Sequence, residues 1–567
     1  MELLIILCVI LALIVIVFAR ASYVQKKDHQ RYVRRIRENY GTPIDLTKAK
    51  TPERYWHLGL YYEKHKDEYS VDDITWNDLE MDRVYQALNY SHSSCGEEYL
   101  YYRLRCPDQY KNQHALIEQE EETIAFLDSD EDTRVALEDA YTQIGYTGRF
   151  SLYQYLDFLS NLGQRDNLKH IIPNIFYLIG IGLIFWEAAV GVILLIMIMV
   201  YMFFTYLKEK SDNEPYLVSF SFILRLLSNA GNLNHILKGK AGSAELCALM
   251  KDKLDATRHL KRHPFFAKRN TGAGDPLSLI TDYIKMITHY DLISFNRMLQ
   301  DTRSHEKDID EIYTVMGYLE YLLMVANVRA SYECCVPEMK EKGFGIVTSK
   351  LYHPLIENAV SLDLEEKTPV LITGSNASGK STFLREMGLS ALLAQSVHTV
   401  FASSYQSEYF RIYSSMSLKD SLEAGDSYYM AEIRSLKRIL EAMKLHPENR
   451  ILCFVDEVLR GTNTVERVSA STQVLKYFAD YDAMCFAATH DIELTGLLEN
   501  FYHNYHFDEE VENNDISFSY MLKKGRATSR NAIKLLEIMG YEPEIVTKAQ
   551  KISEHFLETG EWELVGE

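Results

Sequence analysis

The stretch LITGSNASGKST, residues 371–382, decides the fold of the C-terminal part of this chain. An apolar strand runs into Gly374, and the following residues have the spacing G-x-x-x-x-G-K-[ST] of a phosphate-binding loop. The glycines let backbone N–H groups turn towards phosphates, and a helix that begins near Lys380 adds the positive end of its dipole. The spacing predicts that Lys380 reaches the β- and γ-phosphates and that Ser381 binds Mg²⁺. The predicted nucleotide-binding residues are Gly374, Ser375, Asn376, Ala377, Ser378, Gly379, Lys380, Ser381 and Thr382.

Two further apolar runs supply acidic and imidazole groups after the loop. The run ILCFVDE, residues 451–457, predicts a short buried strand that ends in two carboxylates. We expect Asp456 to hold Mg²⁺, directly or through water, and Glu457 to orient or deprotonate the attacking water. The run CFAAT ends at His490, where an imidazole could sense the γ-phosphate. A purely structural histidine is the alternative for His490.

Composition limits the class of protein. With 567 residues, 47% hydrophobic and 25% charged, the chain can form about three globular domains. The formal net charge of -20 argues against broad, nonspecific attraction to nucleic acid, so any DNA contact has to be local. The 8 cysteines form no C-x-x-C pair, which favours buried thiols in a reducing compartment.

The N-terminus has the composition of a membrane-spanning helix. Residues 3–19, LLIILCVILALIVIVFA, carry no charge, and a cluster of Arg and Lys follows between Arg20 and Arg37. This length is close to the ~20 residues that cross a bilayer. A cleaved signal peptide is the alternative, because Ala19-Arg20-Ala21 matches a small-x-small site. The basic cluster predicts that the residues after the helix lie in the cytoplasm.

A second apolar region covers residues 171–207 and has a single charge, Glu187. One helix of that length would exceed a hydrocarbon core of about 30 Å, so we expect two helices that turn near Trp186 and Glu187. Lys169 and Lys208 flank the region and place both ends on the cytoplasmic side. Buried core helices are the alternative. We therefore predict a multi-pass protein of the cell membrane with its nucleotide site in the cytoplasm.

The remaining segments are mostly helical in pattern. A basic stretch, residues 253–269, surrounds Phe265 and Phe266, and a solvated face, lipid headgroups and a nucleic-acid backbone all remain open as its surroundings. A helix is predicted to open at Gly425 and Ser427 and to continue through Leu440. A hydroxyl at a helix N-terminus suits a phosphate. Because Lys380 already serves the nucleotide of its own subunit, we expect Ser427 to serve that of a second subunit.

The C-terminal part of the chain contains five motifs in this order: GSNASGKST (374–382), AGDSYYMAE (424–432), DEVLRGTNT (456–464), FAATHDIELTGL (486–497) and GRATSRNAIKLLEIMGYEPEIVTKAQKI (525–552). On these motifs, the chain from about Leu351 onwards resembles the ATPase domain of the MutS DNA mismatch repair family. Two of the motifs differ from the family pattern, with Tyr429 in place of the usual phenylalanine and Asn463 in place of a serine. Upstream, DDITWNDLEMDRVYQAL resembles the opening of the family's helical core.

The resemblance implies an ABC-like ATPase that works as a homodimer with two ATP molecules and Mg²⁺ between the subunits. It implies catalytic roles for Lys380, Glu457 and His490, and a role in trans for Ser427. It also implies dimerisation through the C-terminal helix-turn-helix. The transporter signature L-S-G-G-Q is absent from the sequence, so a transporter ATPase fits poorly. DNA binding, as in mismatch repair, and a protein partner at the membrane both remain open.

The sequence departs from mismatch-recognising members of the family before the helical core. Those members carry a G-x-F-Y-E wedge, and residues 59–63, GLYYE, are only superficially similar. We interpret this similarity as coincidence, because about fifty residues cannot form the domains that hold such a wedge. We expect the mismatch-reading domain to be absent.

The predicted fold class is an α/β P-loop ATPase domain preceded by an all-α core and lever region that transmembrane helices interrupt. The predicted domains are an N-terminal transmembrane helix (1–20), a basic linker (21–70), a helical core-like region (71–170), a transmembrane hairpin (171–207), a helical lever-like region (208–340), the ATPase domain (341–515) and a dimerisation segment (516–567). The predicted function is that of a membrane-anchored, ATP-driven dimeric switch. An ATP-dependent switch for a protein partner, without a role on DNA, is the alternative.

Overall fold

The chain forms two compact units, here called the helical unit and the sheet unit. The computed structural model describes residues 20, 23–24, 26–48, 58–107, 114–148, 150–163, 165–213, 216–240, 243–258, 260, 285–375, 378–416, 428–446, 449–460, 462–512, 515–527 and 532–562. The helical unit contains the described residues of Met1–His65, Leu88–Tyr102 and Ala115–Ser331. The sheet unit contains those of Lys66–Ala87, Arg103–His114 and Tyr332–Glu567.

Helices dominate the chain up to residue 331. In chain order they are α1 (Gly59–His65), α2 (Asp73–Asp78), α3 (Met81–Leu88), α4 (Ser94–Arg105), α5 (His114–Ser129), α6 (Glu131–Ile144), α7 (Leu152–Asn161), α8 (Leu168–Ile184), α9 (Ala188–Asn213), α10 (Leu217–Leu237), α11 (Ala244–Ala256), α12 (Tyr290–Ser304) and α13 (Glu306–Ser331). This agrees with the helical pattern of the sequence in these regions.

Helix α13 lies at the centre of the helical unit, and most of its residues are buried. Gly317 permits a close approach to α4, because a Cβ there would lie 2.7 Å from the carbonyl oxygen of Cys95. One turn further on, the buried carboxylate of Glu320 accepts hydrogen bonds from the N–H groups of Ser93 and Gly96, each at 3.0 Å. These donors lie at the N-terminus of α4, whose first N–H groups have no carbonyl partner within the helix.

The residues of the GLYYE stretch lie on α1, within the helical unit. Tyr61 is 1% exposed and its ring contacts those of Tyr99, Tyr153 and Tyr313. Its hydroxyl donates to Thr314 Oγ1 at 3.1 Å. The central tyrosine of this stretch is therefore part of the packed core of its unit.

Helices α8 and α9 form an antiparallel hairpin whose turn, residues 185–187, includes the predicted turn residues Trp186 and Glu187. Glycines let the two helices approach, since a Cβ on Gly191 would lie 2.6 Å from the backbone nitrogen of Ile184. Large apolar side chains on the outer surface of both helices are exposed. Among the described residues, α9 alone is long and apolar enough to cross a membrane, while α8 is apolar but shorter. Residues 1–19, where another membrane helix is predicted, lie outside the described residues.

Two sheets organise the sheet unit. Their strands are β1 (Glu338–Lys340), β2 (Ile346–Leu351), β3 (Leu362–Glu366), β4 (Val370–Thr373), β5 (Ser404–Glu408), β6 (Phe410–Ser415), β7 (Arg450–Asp456), β8 (Met484–Thr489), β9 (His503–Glu512) and β10 (Asp515–Lys524). The smaller sheet has the order β1-β5-β2-β3, and the larger has the order β10-β9-β4-β8-β7-β6. From β9 to β6 all neighbouring strands of the larger sheet are parallel, and β10 is antiparallel to β9.

Helices alternate with strands β4 to β9 of the larger sheet, and two more helices follow β10. They are α14 (Lys380–Ser396), α15 (Tyr428–Leu445), α16 (Thr464–Asp480), α17 (Glu493–Leu497), α18 (Ala532–Ile538) and α19 (Pro543–Thr559). Strands β4, β7 and β8 are almost wholly buried, which explains why their sequences are continuous apolar runs. The C-terminal part of the chain is thus a mixed helix and sheet domain with a parallel core, in line with the predicted α/β class.

An upstream segment, residues 66–87, covers the outer edge of β6. The hydroxyl of Tyr69 donates to the carbonyl oxygen of Ile412 at 3.0 Å and accepts from its N–H at 2.6 Å. The carboxylate of Asp78 accepts from the Ser414 hydroxyl at 2.6 Å and from the Met416 N–H at 2.9 Å. The region 71–170, predicted as one helical domain, therefore contributes residues to both units.

Candidate nucleotide-binding site

Three neighbouring parallel strands, β4, β8 and β7, end at one edge of the larger sheet. The loop after β4 leads into α14, which begins at Lys380. Strand β7 ends at Asp456 and β8 ends at Thr489, so Glu457 and His490 are the first residues of the two following loops. Ligands of open parallel sheets bind at this edge, beyond the carboxyl ends of the strands. The topology thus brings three separate sequence motifs together.

A cavity of about 410 Å³ lies at this edge. Its lining is mainly polar, and it combines residues from all three loops with one residue of β10. The lining residues are Ser375, Gly379, Lys380, Ser381, Thr382, Asp456, Glu457, Arg460, His490 and Tyr520. The structure therefore brings most of the predicted site residues into one cavity.

The loop after β4 requires glycine at both ends. Gly374 has φ +151° and Gly379 has φ +107°, and a Cβ on Gly374 would lie 2.9 Å from Ser378 Oγ. Lys380 is 5% exposed and its Nζ donates to the carbonyl oxygens of Gly374 and Ser375, at 2.7 and 2.6 Å. This geometry holds an ammonium group across the mouth of the loop, at the N-terminus of α14.

Ser381 and Asp456 form the part of the site that fits a metal ion. The hydroxyl of Ser381 hydrogen-bonds to Asp456 Oδ2. Burial raises the pKa of Asp456, the hydrogen bond from Ser381 opposes this, and the negative charge of Glu457 adds to it. A hydroxyl and a carboxylate are hard oxygen ligands, of the kind that bind Mg²⁺ together with water and phosphate oxygens. Within the described part of the chain no group of three or more His, Cys, Asp and Glu side chains could hold a metal, so a cage built by the protein alone is not indicated there.

Glu457 lies at a bend of the backbone directly after β7. Its backbone has φ +59°, a strained value for a residue other than glycine, and its N–H donates to the carbonyl oxygen of Ala488 at 2.9 Å. Its Oε1 lies 2.6 Å from Nε2 of His490, and its other oxygen pairs with Arg460. Burial would raise the pKa of Glu457, but the hydrogen bond from His490 and the charges of His490, Arg460 and Lys380 outweigh burial and lower it. The carboxylate is therefore ionised at neutral pH.

A second carboxylate supports this bend from helix α15. Glu432, 4% exposed, accepts hydrogen bonds from the backbone N–H groups of Leu459 and Arg460. Leu459 also has a positive φ, +58°. The left-handed Leu459 is thus held by a side chain from another element, which the local sequence does not indicate.

Sequence reasoning missed two residues of the cavity. Arg460 has no predicted role beyond its place in the motif DEVLRGTNT, and its ion pair with Glu457 gives it a position in the site. Tyr520 lies at a bulge of β10, and its ring is 3.2 Å from the position that a Cβ on Gly379 would occupy. Its position depends on the hairpin β9–β10, which no motif marks.

Some predicted positions cannot be placed. Asn376, Ala377 and Ser427 lie outside the described residues, as does most of the basic stretch 253–269. Helix α15 begins at Tyr428, directly after Ser427, and extends to Leu445, five residues beyond the predicted end. In the basic stretch, Lys253 pairs with Glu311 at 2.7 Å and with Asp308 at 3.5 Å.

Comparison with known proteins agrees with the motifs. Residues 370–557 match the protein family described as MutS domain V. The C-terminal part of this chain is related to the MutS family. It is 31% identical over 260 residues to the DNA mismatch repair protein MutS of Aquifex pyrophilus, a match that covers 43% of this chain and 30% of the relative. It is 29% identical over 269 residues to the protein of the same name from Thermotoga maritima, a match that covers 46% of this chain and 33% of the relative.

A further relative, the DNA mismatch repair protein MutS of Natronomonas pharaonis, is 28% identical over 269 residues, which cover 46% of this chain and 31% of the relative. The chain therefore spans about a third of the length of these curated relatives. The relationship to MutS concerns the part of the chain that contains the cavity, and it does not extend to the whole of the longer proteins.

Proposed function

We propose that the sheet unit is a MutS-like ATPase that binds and hydrolyses ATP with Mg²⁺. The observation that carries the proposal is the convergence of Lys380, the Ser381–Asp456 pair and the Glu457–His490 pair on one cavity at the ends of three parallel strands. The relationship of residues 370–557 to MutS domain V supports it. Phosphoryl transfer needs mainly positioned charges, and this cavity contains the required cationic, metal-binding and basic groups.

Each residue has a defined role in this proposal. Lys380 and the backbone N–H groups at the start of α14 bind the phosphates, and Ser381 and Asp456 hold Mg²⁺, which neutralises developing charge when bound. Glu457, ionised and directed into the cavity, accepts the hydrogen bond that orients the attacking water and takes its proton. His490 holds Glu457 through the 2.6 Å contact and faces the same cavity.

The working form in this proposal is a homodimer, in which Ser427 of one subunit completes the site of the other. Its support is the family relationship and the start of α15 at Tyr428, directly after this serine. Mixing a Ser427→Ala chain with a Lys380→Ala chain should restore one composite site per heterodimer. Mixed samples that show no turnover above either parent would remove the support for a role in trans.

The proposal also places the protein at the cell membrane, with hairpin α8–α9 inserted and the sheet unit in the cytoplasm. Its support is the set of large apolar side chains that both helices of the hairpin expose, together with the length and composition of α9. Membrane flotation of the full chain tests this placement, together with a variant that carries Leu178→Glu, Ile193→Glu and Phe204→Glu on that surface. The wild type should float with membranes and be extracted by detergent, and the variant should stay in the soluble fraction once residues 1–20, predicted as a further membrane helix, are also deleted. A wild type that remains soluble without detergent would contradict the placement.

The substitution Lys380→Ala tests the ATPase itself. It should abolish ATP turnover, because the phosphates lose their fixed positive charge, while far-UV circular dichroism remains that of the wild type. Turnover at the wild-type rate in a folded Lys380→Ala protein would refute the site.

DNA binding is a second candidate, and the names of the relatives, DNA mismatch repair proteins, favour it. The net charge of -20 limits such binding to local contacts. A gel shift of the detergent-solubilised chain on matched and mismatched duplexes at several salt concentrations tests it. Salt-sensitive binding would support a role on DNA, and its absence at low salt would leave the alternative of a switch for a protein partner.

A further inference from the structure

An ion pair next to the cavity joins α16 to the loop after β8. Arg467 donates from Nε to Asp491 Oδ2 at 2.8 Å and from Nη2 to Asp491 Oδ1 at 2.6 Å. The two side chains are only 24% and 11% exposed. Two parallel bonds between planar groups fix both distance and orientation, which a single point charge does not.

The position of this pair in the chain connects it to Glu457. Asp491 directly follows His490, and His490 Nε2 contacts Glu457 Oε1 at 2.6 Å. Glu457 begins the loop that leads into α16, on whose second turn Arg467 lies. The contacts therefore close a ring that runs from Glu457 through its own loop to Arg467, across to Asp491 and back through His490.

Local hydrogen bonds already form the turn after β8 without the arginine. The N–H of Asp491 donates to Thr489 Oγ1 at 3.0 Å, and the N–H of Leu494 donates to the carbonyl oxygen of Asp491 at 3.2 Å. The guanidinium group is thus not needed to make the turn. What it adds is a fixed orientation of the turn relative to α16, and hence of the imidazole that holds Glu457.

We propose that Arg467 is a positioning residue, which acts through Asp491 and His490 to hold Glu457 in its reactive orientation. The inference rests on the proposed ATPase function, since it assigns a residue to that reaction. Glu457 has a strained backbone, so its side chain needs support from outside its own loop. Small displacements of a catalytic group reduce rate far more than they reduce substrate binding.

The test uses the full chain in detergent with Arg467→Ala, Arg467→Lys and, as a matched control, Lys476→Ala. Lys476 forms an ion pair with Asp480 on the same helix at 2.5 Å. We expect Arg467→Ala to lower kcat about tenfold while KM for ATP changes less than about twofold. Arg467→Lys should give an intermediate kcat, because it keeps the charge but loses the second bond. Lys476→Ala should leave kcat unchanged.

Chemical rescue separates positioning from general stability. Guanidinium ion at low millimolar concentration should raise the kcat of Arg467→Ala several-fold, and it should not raise that of the wild type or of Lys476→Ala. Wild-type kcat in Arg467→Ala would overturn the proposal. So would a loss of kcat that is matched by a loss of nucleotide-binding stoichiometry and is not rescued. Lys380→Ala distinguishes a failure of the ATPase proposal from a failure of the Arg467 proposal. Turnover that survives in Lys380→Ala refutes the ATPase site itself, whatever the result for Arg467.

Discussion

The two units of this protein use their buried polar groups in different ways. In the sheet unit, Lys380, Asp456 and Glu457 lie at the ends of parallel strands and face a cavity of about 410 Å³. In the helical unit, Glu320 is 1% exposed and is surrounded by backbone donors of the α4 end. Both units contain carboxylates whose pKa values are shifted, so a shifted pKa alone does not identify a reactive group. Whether a carboxylate is reactive depends on its surroundings. A group that faces a cavity can reach a ligand, whereas an enclosed group contributes to the stability of the fold.

The largest expected effect is that of Glu457→Gln on turnover. Loss of the general base should lower kcat at least about a hundredfold, while ATP binding measured with a fluorescent analogue is retained. The melting temperature should change little, because the amide keeps the size of the side chain. Glu441→Gln, an exposed carboxylate on α15, serves as the control. If Glu457→Gln lowered stability but not kcat, the contrast between the two units would be lost.

Glu320 should show the opposite profile, with an effect on stability and none on chemistry. Burial raises its pKa to about 7, against the hydrogen bond from Ser93 and the charge of His92. The folded state therefore binds more protons than the unfolded state between about pH 4 and pH 7, and this contribution to stability is lost as pH rises through that window. We expect a loss of up to about 3 kcal/mol, which Glu320→Gln should remove. Hydrogen exchange of α13 amides at pH 5 and pH 7.5 in both proteins measures it, and equal slopes would refute it.

His353, in the sheet unit, should give a pH dependence of the opposite sign. Burial lowers its pKa to about 4, while the charge of Glu80 opposes the shift. Below about pH 6.5 the unfolded state binds the additional proton, so stability falls as pH decreases from about 6.5 to about 4. In His353→Gln, the difference in the free energy of unfolding between pH 4.5 and pH 7 should be smaller by about 2 kcal/mol than in the wild type. Urea unfolding at the two pH values measures it. A steeper acid loss in His353→Gln than in the wild type would show that the assignment is wrong.

The smallest expected effect concerns Tyr520 at the cavity wall. Its ring offers an apolar face to a bound nucleotide, and its removal should raise KM for ATP about three- to tenfold with little change in kcat. Met521→Ala is the matched control, since this neighbouring side chain is exposed and does not line the cavity. If both variants had the same KM, Tyr520 would have no part in nucleotide binding.

Features that depend on contacts between neighbouring residues could be predicted from the sequence. Features that depend on contacts between residues far apart in the chain could not. The loop after β4 could be predicted because its shape follows from glycines and a lysine within nine residues. The bend at Glu457 could not, because its N–H bonds to the distant Ala488 and the side chain of Glu432, on another helix, holds the nearby Leu459. Arg467 and Tyr520 were missed for the same reason. The apolar hairpin was predicted in outline, since composition and one charged turn were sufficient.

The membership of residues 66–87 in the sheet unit was also beyond sequence reasoning. The sequence predicts residues 66–70 as the end of the basic linker (21–70) and residues 71–87 as the start of one helical domain (71–170). What joins them to β6 is a set of polar side chains, Tyr69 and Asp78 among them, that satisfy its outer backbone groups. Such contacts produce no periodic pattern of residues in the sequence.

The covered edge of β6 has a consequence for synthesis of the chain. An uncovered edge strand is a template on which another polypeptide can pair and aggregate. Asp78 precedes its partner Ser414 by 336 residues, so on the ribosome the cover is made long before the edge that it protects. The covering segment is therefore already present on the nascent chain when β6 emerges. This shortens the time during which another polypeptide could pair with the exposed strand.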